Sequence, residues 1–361
     1  MAPGAAPFAC PLPRPVHPMP ATSHAATIPS VPSPSSLWPG LLLSTAIALV
    51  AFGLGQWLPL VGGPVFGIVL GVIVRNVVAP PTACQPGIRF AGKQVLQWSI
   101  VALGLGLSLT QVAQTGLDSL AVTLVTVAVA FASALMLGRL LGIESKLKVL
   151  IGAGTAICGG SAIAAVTPII KADEHETAFA ISTIFLFNLV AVVVFPAFGH
   201  LMGMSQEGFG LWAGTAINDT SSVVAAGYSY GQAAGDHATI VKLTRATLII
   251  PMCLVLAAVE AWRQKQQGAG HLDLRKVIPW FILWFVVASA VSTAGLIPDA
   301  WQPAIRLGAK LLIIVALTAI GLSADLRRMA ATGFRPIALG LGVWAAVALS
   351  SLGVQYVTGQ V

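Results

Sequence analysis

The chain has 361 residues, of which 57% are hydrophobic and only 9% charged, with a mean hydropathy of +0.88. A soluble domain carries about 25% charged residues, so an ordinary water-soluble fold is excluded and a polytopic, all-α membrane protein is expected. The 19 Lys plus Arg against 12 Asp plus Glu give +7, but the cations fall between apolar runs, the pattern of membrane topology and not of nucleic-acid binding.

In chain order, residues 1–36 are rich in Pro, Ser and Ala with a single Arg14. They predict a disordered tail. The tail lacks the charged start and short apolar core of a cleaved signal peptide, so the first span is expected to stay as an anchor. Residues 37–361 then form one transmembrane domain. Its eleven apolar segments lie at about 38–58, 62–80, 91–110, 119–142, 147–170, 177–203, 208–230, 238–262, 277–297, 304–324 and 334–357. If all eleven cross, 14 of the Lys and Arg residues lie on the side of the N-terminus, and five (Lys171, Lys242, Arg245, Arg306, Lys310) lie opposite. That asymmetry places the N-terminus in the cytoplasm of a bacterial inner membrane and the C-terminus outside. A re-entrant motif segment would reverse everything after it. Arg75-Asn76 at the end of the second segment reads as a snorkelling anchor, and Asp173 to Glu176 as a solvated acidic loop.

Two stretches in this apolar background share a pattern. Gly154-Thr155-Ala156-Ile157-Cys158-Gly159-Gly160-Ser161 and Gly214-Thr215-Ala216-Ile217-Asn218-Asp219-Thr220-Ser221 both open with Gly-Thr-Ala-Ile and place Ser eighth. Four glycines between Gly152 and Gly160 cost roughly 1 kcal/mol each in a helix, so each stretch predicts an interrupted helix. In the first, N–H groups and the hydroxyls of Thr155 and Ser161, with Cys158, Gly159 and Gly160, are candidates to cradle an anion. In the second, Asn218, Thr220 and Ser221 extend that site, and Asp219 is the candidate coupling residue, because an intramembrane carboxylate is a functional hypothesis by default. The plainer alternatives are close packing of small residues for the first stretch, an N-cap for Asp219 and simple packing for Cys158. Asn188, Lys242 and Arg245 are supporting candidates, the last two three residues apart and hence on one helix face.

A weaker echo links residues 102–109 with 316–323, each preceded by a lysine (Lys93, Lys310). Under the eleven-span count these helices run in opposite directions, as an inverted repeat requires, whereas the two Gly-Thr-Ala-Ile copies would run parallel. Cys10, Cys84, Cys158 and Cys253 have no spacing that indicates a disulfide framework or zinc. No metal site and no cofactor motif appears, and no Walker, HExxH or GxSxG pattern, so neither ATP coupling nor an enzyme is expected.

The two motifs, with Arg75-Asn76, resemble the bacterial membrane family labelled sulfate exporters, and the resemblance covers nearly everything after the tail. This chain has Asn218 where that family often shows His. The family is distantly similar to the fold of sodium/proton antiporters and bile-acid transporters, which implies paired interrupted helices crossing near the midplane. The expected function is secondary transport of a small anion such as sulfate, by alternating access, with a proton or sodium ion as coupling partner. The rivals are a cation/proton antiporter built on Asp219 and a non-transporting sensor or scaffold. The expected surroundings are the lipid bilayer, with no nucleic acid, and a homo-oligomer is compatible with the sequence.

Overall fold

The computed structural model describes residues 34–58, 62–263, 280–327 and 333–360. The tail expected over 1–36 lies outside them, except that its last three residues already belong to the first helix, α1 (Pro34–Trp57). After it come α2 (Gly62–Val77), α3 (Thr82–Gly104, with a π turn at Ala91–Val95), α4 (Leu109–Asp118) and α5 (Leu120–Leu140). The two motif segments contribute α6 (Ser145–Ala156) with α7 (Gly160–Val166), and α9 (Gln206–Ala216) with α10 (Thr220–Tyr230). Between them runs α8 (Glu174–Leu201). The rest is α11 (Gln232–Thr247), α12 (Ile249–Arg263), α13 (Trp280–Thr293), α14 (Gln302–Ser323) and α15 (Phe334–Thr358). Among the described residues there is no strand.

Among the described residues six stretches, namely Leu37–Trp57, Leu120–Leu140, His175–Leu201, Gln232–Glu260, Gln302–Ser323 and Phe334–Thr358, are long and apolar enough to cross a membrane. The third expected span, 91–110, starts earlier and stops at Gly104, where the chain bends by 107° into the short α4. Ser108 caps that helix by accepting from the Gln111 N–H at 3.1 Å.

The helices form two groups. In the first, α1, α2, α3 and α13 surround α14 or its neighbours. Gly63, Gly67 and Gly71 of α2 form a stripe of small residues that lets α14 approach: a Cβ on Gly67 would lie 2.9 Å from Thr318 Oγ1. That is the small-residue packing that replaces the hydrophobic effect between membrane helices. The end of α2 is tied to the end of α14, since Arg75 pairs with Asp325 at 3.3 Å and Asn76 donates to the Ala324 carbonyl at 3.0 Å. Arg75 therefore has an ion-pair partner, contrary to the snorkelling expectation. α3 runs antiparallel to α14, with Gly92 beside Ile320 and Gly106 beside Arg306, the relation the weaker echo required.

The second group holds α5, α8, α11, α15 and the two motif segments. Neither motif segment crosses. Lys146 Nζ at the start of α6 donates to the Lys171 carbonyl at 2.8 Å. A continuous path of 25 residues would separate those positions by roughly 37 Å if helical, so α6 and α7 fold back as hairpin 1. In the other segment Phe209 stacks on Tyr230 with centroids 3.9 Å apart, and Tyr230 Oη donates to the Met204 carbonyl at 2.6 Å. α9 and α10 are hairpin 2, each arm 11 residues, or roughly 16 Å, half a bilayer core. Two of the eleven expected crossings, 147–170 and 208–230, are thereby corrected to re-entrant hairpins. The physical reason is the turn at each tip, which the glycine and polar residues permit and which the sequence reads only as an interruption.

Helix α8, 28 residues long, links the two hairpins from base to base. Its start is fixed at hairpin 1 by a Thr167–Thr177 hydroxyl contact of 3.2 Å, and its end at hairpin 2 by His200 stacked on Tyr230 at 4.3 Å. The acidic loop before it is a capping box and not merely solvated: Asp173 Oδ1 accepts from the Glu176 N–H at 2.7 Å, and Glu176 Oε2 accepts from the Asp173 N–H at 2.9 Å. The hairpins therefore enter the bundle from opposite ends, and their tips meet in the middle. This resolves the direction of the two motif copies, which are inverted and not parallel.

Candidate functional site

The tips are the two Gly-Thr-Ala-Ile motifs. Hairpin 1 turns at Ile157–Gly159, where Gly159 takes φ +68, a left-handed conformation that glycine adopts without strain. Its missing side chain leaves room for the other tip, since a Cβ on Gly159 would lie 3.4 Å from that of Asp219. Hairpin 2 turns at Ile217–Asp219. Asp219 caps α10, accepting from the Ser221 N–H at 2.9 Å and from the Ser221 hydroxyl, and its own N–H donates to Asn188 Oδ1 of α8 at 3.2 Å.

The ingoing arms α6 and α9 end with unsatisfied carbonyls, the partially negative end of each helix. Helix α11 supplies the cations. Lys242 Nζ donates to the Ile157 carbonyl at 2.7 Å and to the Ile217 carbonyl at 2.8 Å. These are the same position in the two motif copies. One turn on, Arg245 Nε donates to the Ala156 carbonyl at 2.5 Å and its Nη2 to the Thr155 carbonyl at 3.0 Å. Both side chains are 0% exposed, a burial tolerated only with such partners. The two cations expected to support the site thus clamp the backbone of both tips.

Several polar groups at the junction have no partner. Both amide atoms of Asn218, Thr155 Oγ1 and Arg245 Nη1 are buried and unpaired. Buried polar atoms are ordinarily satisfied, so four at one junction mark a place where a ligand or water can bond. On the outgoing arms, Thr220 and Ser221 are buried and Asp219 is half-buried. Cys158 is buried in the turn, with the hydrophobic core of the second group around it. Gly160 has nothing within 4 Å of where a side chain would stand, and Ser161 beside it is exposed, so the first turn of α7 is the open side of the junction.

The structure brings all the candidate residues of both motifs to this junction, together with Asn188, Lys242 and Arg245. Sequence reasoning missed Thr215, whose hydroxyl meets that of Ser351 in α15 at 2.7 Å. It also missed the role of the Ile157 and Ile217 carbonyls, which no side-chain pattern reveals. Among the described residues no group of three or more His, Cys, Asp or Glu is placed to hold a metal.

Membrane-length helices and two opposed hairpins meeting tip to tip define a polytopic membrane protein with re-entrant segments. Residues 39–340 match the family described as Conserved hypothetical protein 698. The chain is 39% identical over 340 residues to a UPF0324 membrane protein of Fusobacterium nucleatum, covering 89% of this chain and 98% of that one. It is 41% identical over 331 residues to a UPF0324 membrane protein of Streptococcus mutans and 37% identical over 336 residues to one of Clostridium tetani, each covering 89% of this chain and 97% of the relative. The chain belongs to the UPF0324 family of membrane proteins.

Proposed function

We propose that the protein is a secondary transporter of a small anion, sulfate being the first to test, with the hairpin junction as its binding site. The observation that carries this reading is Lys242 bridging the Ile157 and Ile217 carbonyls with Arg245 beside it. Lys242 and Arg245 put two basic side chains and their N–H donors beside the carboxylate of Asp219, an arrangement that favours a bound anion over a transported metal cation. The anion contacts the open first turn of α7 at Gly159, Gly160 and Ser161 and the unpaired amide of Asn218, with Thr155, Thr220 and Ser221 completing the polar lining. Asp219 carries the coupling proton or sodium ion, being half-buried and next to the tip of hairpin 1. On this reading the protein is a carrier and not a catalyst.

The hairpin topology sharpens the orientation. Lys171 joins the 14 cations of the N-terminal side, Lys242 and Arg245 belong to neither side, and only Arg306 and Lys310 remain opposite. The contrast between the sides grows, which supports a cytoplasmic N-terminus in an inner membrane. Two re-entrant segments reverse the path twice, so the C-terminus stays outside.

The test is flux into proteoliposomes of sulfate, sulfite, thiosulfate and small carboxylates, with and without sodium and across pH. Transport of one of them, lowered roughly tenfold or more by Asn218→Ala and uncoupled from the ion gradient by Asp219→Asn, is the expected result. Unchanged anion flux in Asp219→Asn and Ser161→Ala would sink the proposal. Proton or sodium movement with no anion present selects the antiporter reading instead.

A further inference from the structure

We propose that a second anion site lies around Lys310, in the seam between the two helix groups, and serves as a waystation toward the junction. It rests on the anion reading above and names a part of the path. The cavity there measures about 150 Å³ and is walled by Gln56 at the end of α1, Gly62, Gly63 and Pro64 at the start of α2, Tyr228 of α10 and Lys310 of α14. Tyr228 lies eight residues from Thr220 along α10, roughly 12 Å from the junction.

Lys310 is half-buried and has no hydrogen-bond or ion-pair partner among the described residues. Arg306 stands four residues earlier on the same helix face, and its Nη2 reaches the Gly106 carbonyl at 3.4 Å. Like charges at that spacing repel. The nearby carboxylate, Asp236, accepts from the Tyr228 hydroxyl at 2.5 Å and from Gln232 Nε2 at 3.3 Å and shares a recess with Arg306, whose charge it feels, so it offsets Arg306 and leaves Lys310 as the cation without a partner among the described residues. A half-buried cation without a partner among the described residues, set in a cavity with backbone walls, is arranged for an oxyanion. A free small oxyanion and a lipid phosphate share that chemistry. The cavity's position between α2 and hairpin 2, against the arm that leads to the junction, assigns it to the free anion.

The experiment uses the full-length Gln56→Cys variant, since that side chain is exposed at the cavity wall. Its labelling rates by a sulfonate-bearing and an ammonium-bearing methanethiosulfonate are measured in nanodiscs, corrected for the unsubstituted protein. The ratio of sulfonate to ammonium labelling is expected to fall about tenfold on Lys310→Gln, as one charge acting on probes of opposite sign at roughly 6 Å in a water-like dielectric requires. The ratio is retained in Lys310→Arg, which controls for folding. Millimolar sulfate slows the sulfonate reagent. A ratio indifferent to Lys310→Gln overturns the site, and protection by anionic lipid but not by sulfate makes Lys310 a headgroup anchor, which also overturns it. Labelling is read on the protein at rest, so a failure of sulfate flux and a failure of this site are separate results.

Discussion

Lys242 is the residue on which both halves of the site depend. Its ammonium satisfies the last carbonyl of each ingoing arm at 2.7 and 2.8 Å, so removing it strands two buried acceptors at once. A buried unsatisfied group costs about 1–3 kcal/mol, which puts Lys242→Met at about 2–6 kcal/mol. Thermal unfolding of the purified protein should show a marked drop for Lys242→Met. Lys93→Met, at an exposed position of α3, should leave the transition where it is. Equal effects of the two would mean that the clamp adds nothing to stability. The sequence showed Lys242 and Arg245 as cations on one face near the second motif, but it could not show what they touch. Backbone carbonyls carry no residue identity, and the partners lie up to 90 positions away. Asp219 was legible for the opposite reason: a carboxylate in an apolar run stands out by type alone. The structure shows it as the cap of α10, accepting from the Ser221 N–H at 2.9 Å, and its coupling role belongs to the proposal above.

At the scale of the element, the hairpins are what the sequence left ambiguous. Residues 145–171 and 206–231 are each long and apolar enough to read as a span with a flaw. Nothing local distinguishes a helix that breaks and continues from one that breaks and returns, because both need the same glycine-rich, polar turn. The deciding contacts join the two bases: Lys146 to Lys171, and Phe209 and Met204 to Tyr230. Spin labels at positions 146 and 171 should therefore report a short separation. A crossing segment would place them roughly 37 Å apart, and a distance near that value would dissolve hairpin 1. The long helices, by contrast, were placed to within a few residues by hydrophobic length alone, since α5, α8 and α15 each carry an uninterrupted apolar run of membrane thickness.

For the whole molecule, the opposed hairpins give the two helix groups different characters. The first group is locked by glycine stripes and by the Arg75–Asp325 pair at one end. The second carries the junction, and the two meet along a seam of Val65, Ile68, Leu103, Ile313 and Leu317 against Val192, Val224 and Ala225. Apolar side chains of this kind make no directional bonds, so the seam can shift with little loss, whereas the tips cannot part without breaking the Lys242 clamp. In the proposed transport cycle the second group would therefore move as a unit, and the side from which the bases are reached follows from which hairpin is which. Hairpin 1 opens toward the cation-rich side and hairpin 2 toward the other. In oriented membrane vesicles, an impermeant thiol reagent applied from the cytoplasmic face should label a cysteine at position 171 and not one at 206, and applied from the opposite face it should do the reverse. Labelling of both from one face would place both bases on the same side and remove the inverted arrangement on which the shared junction rests.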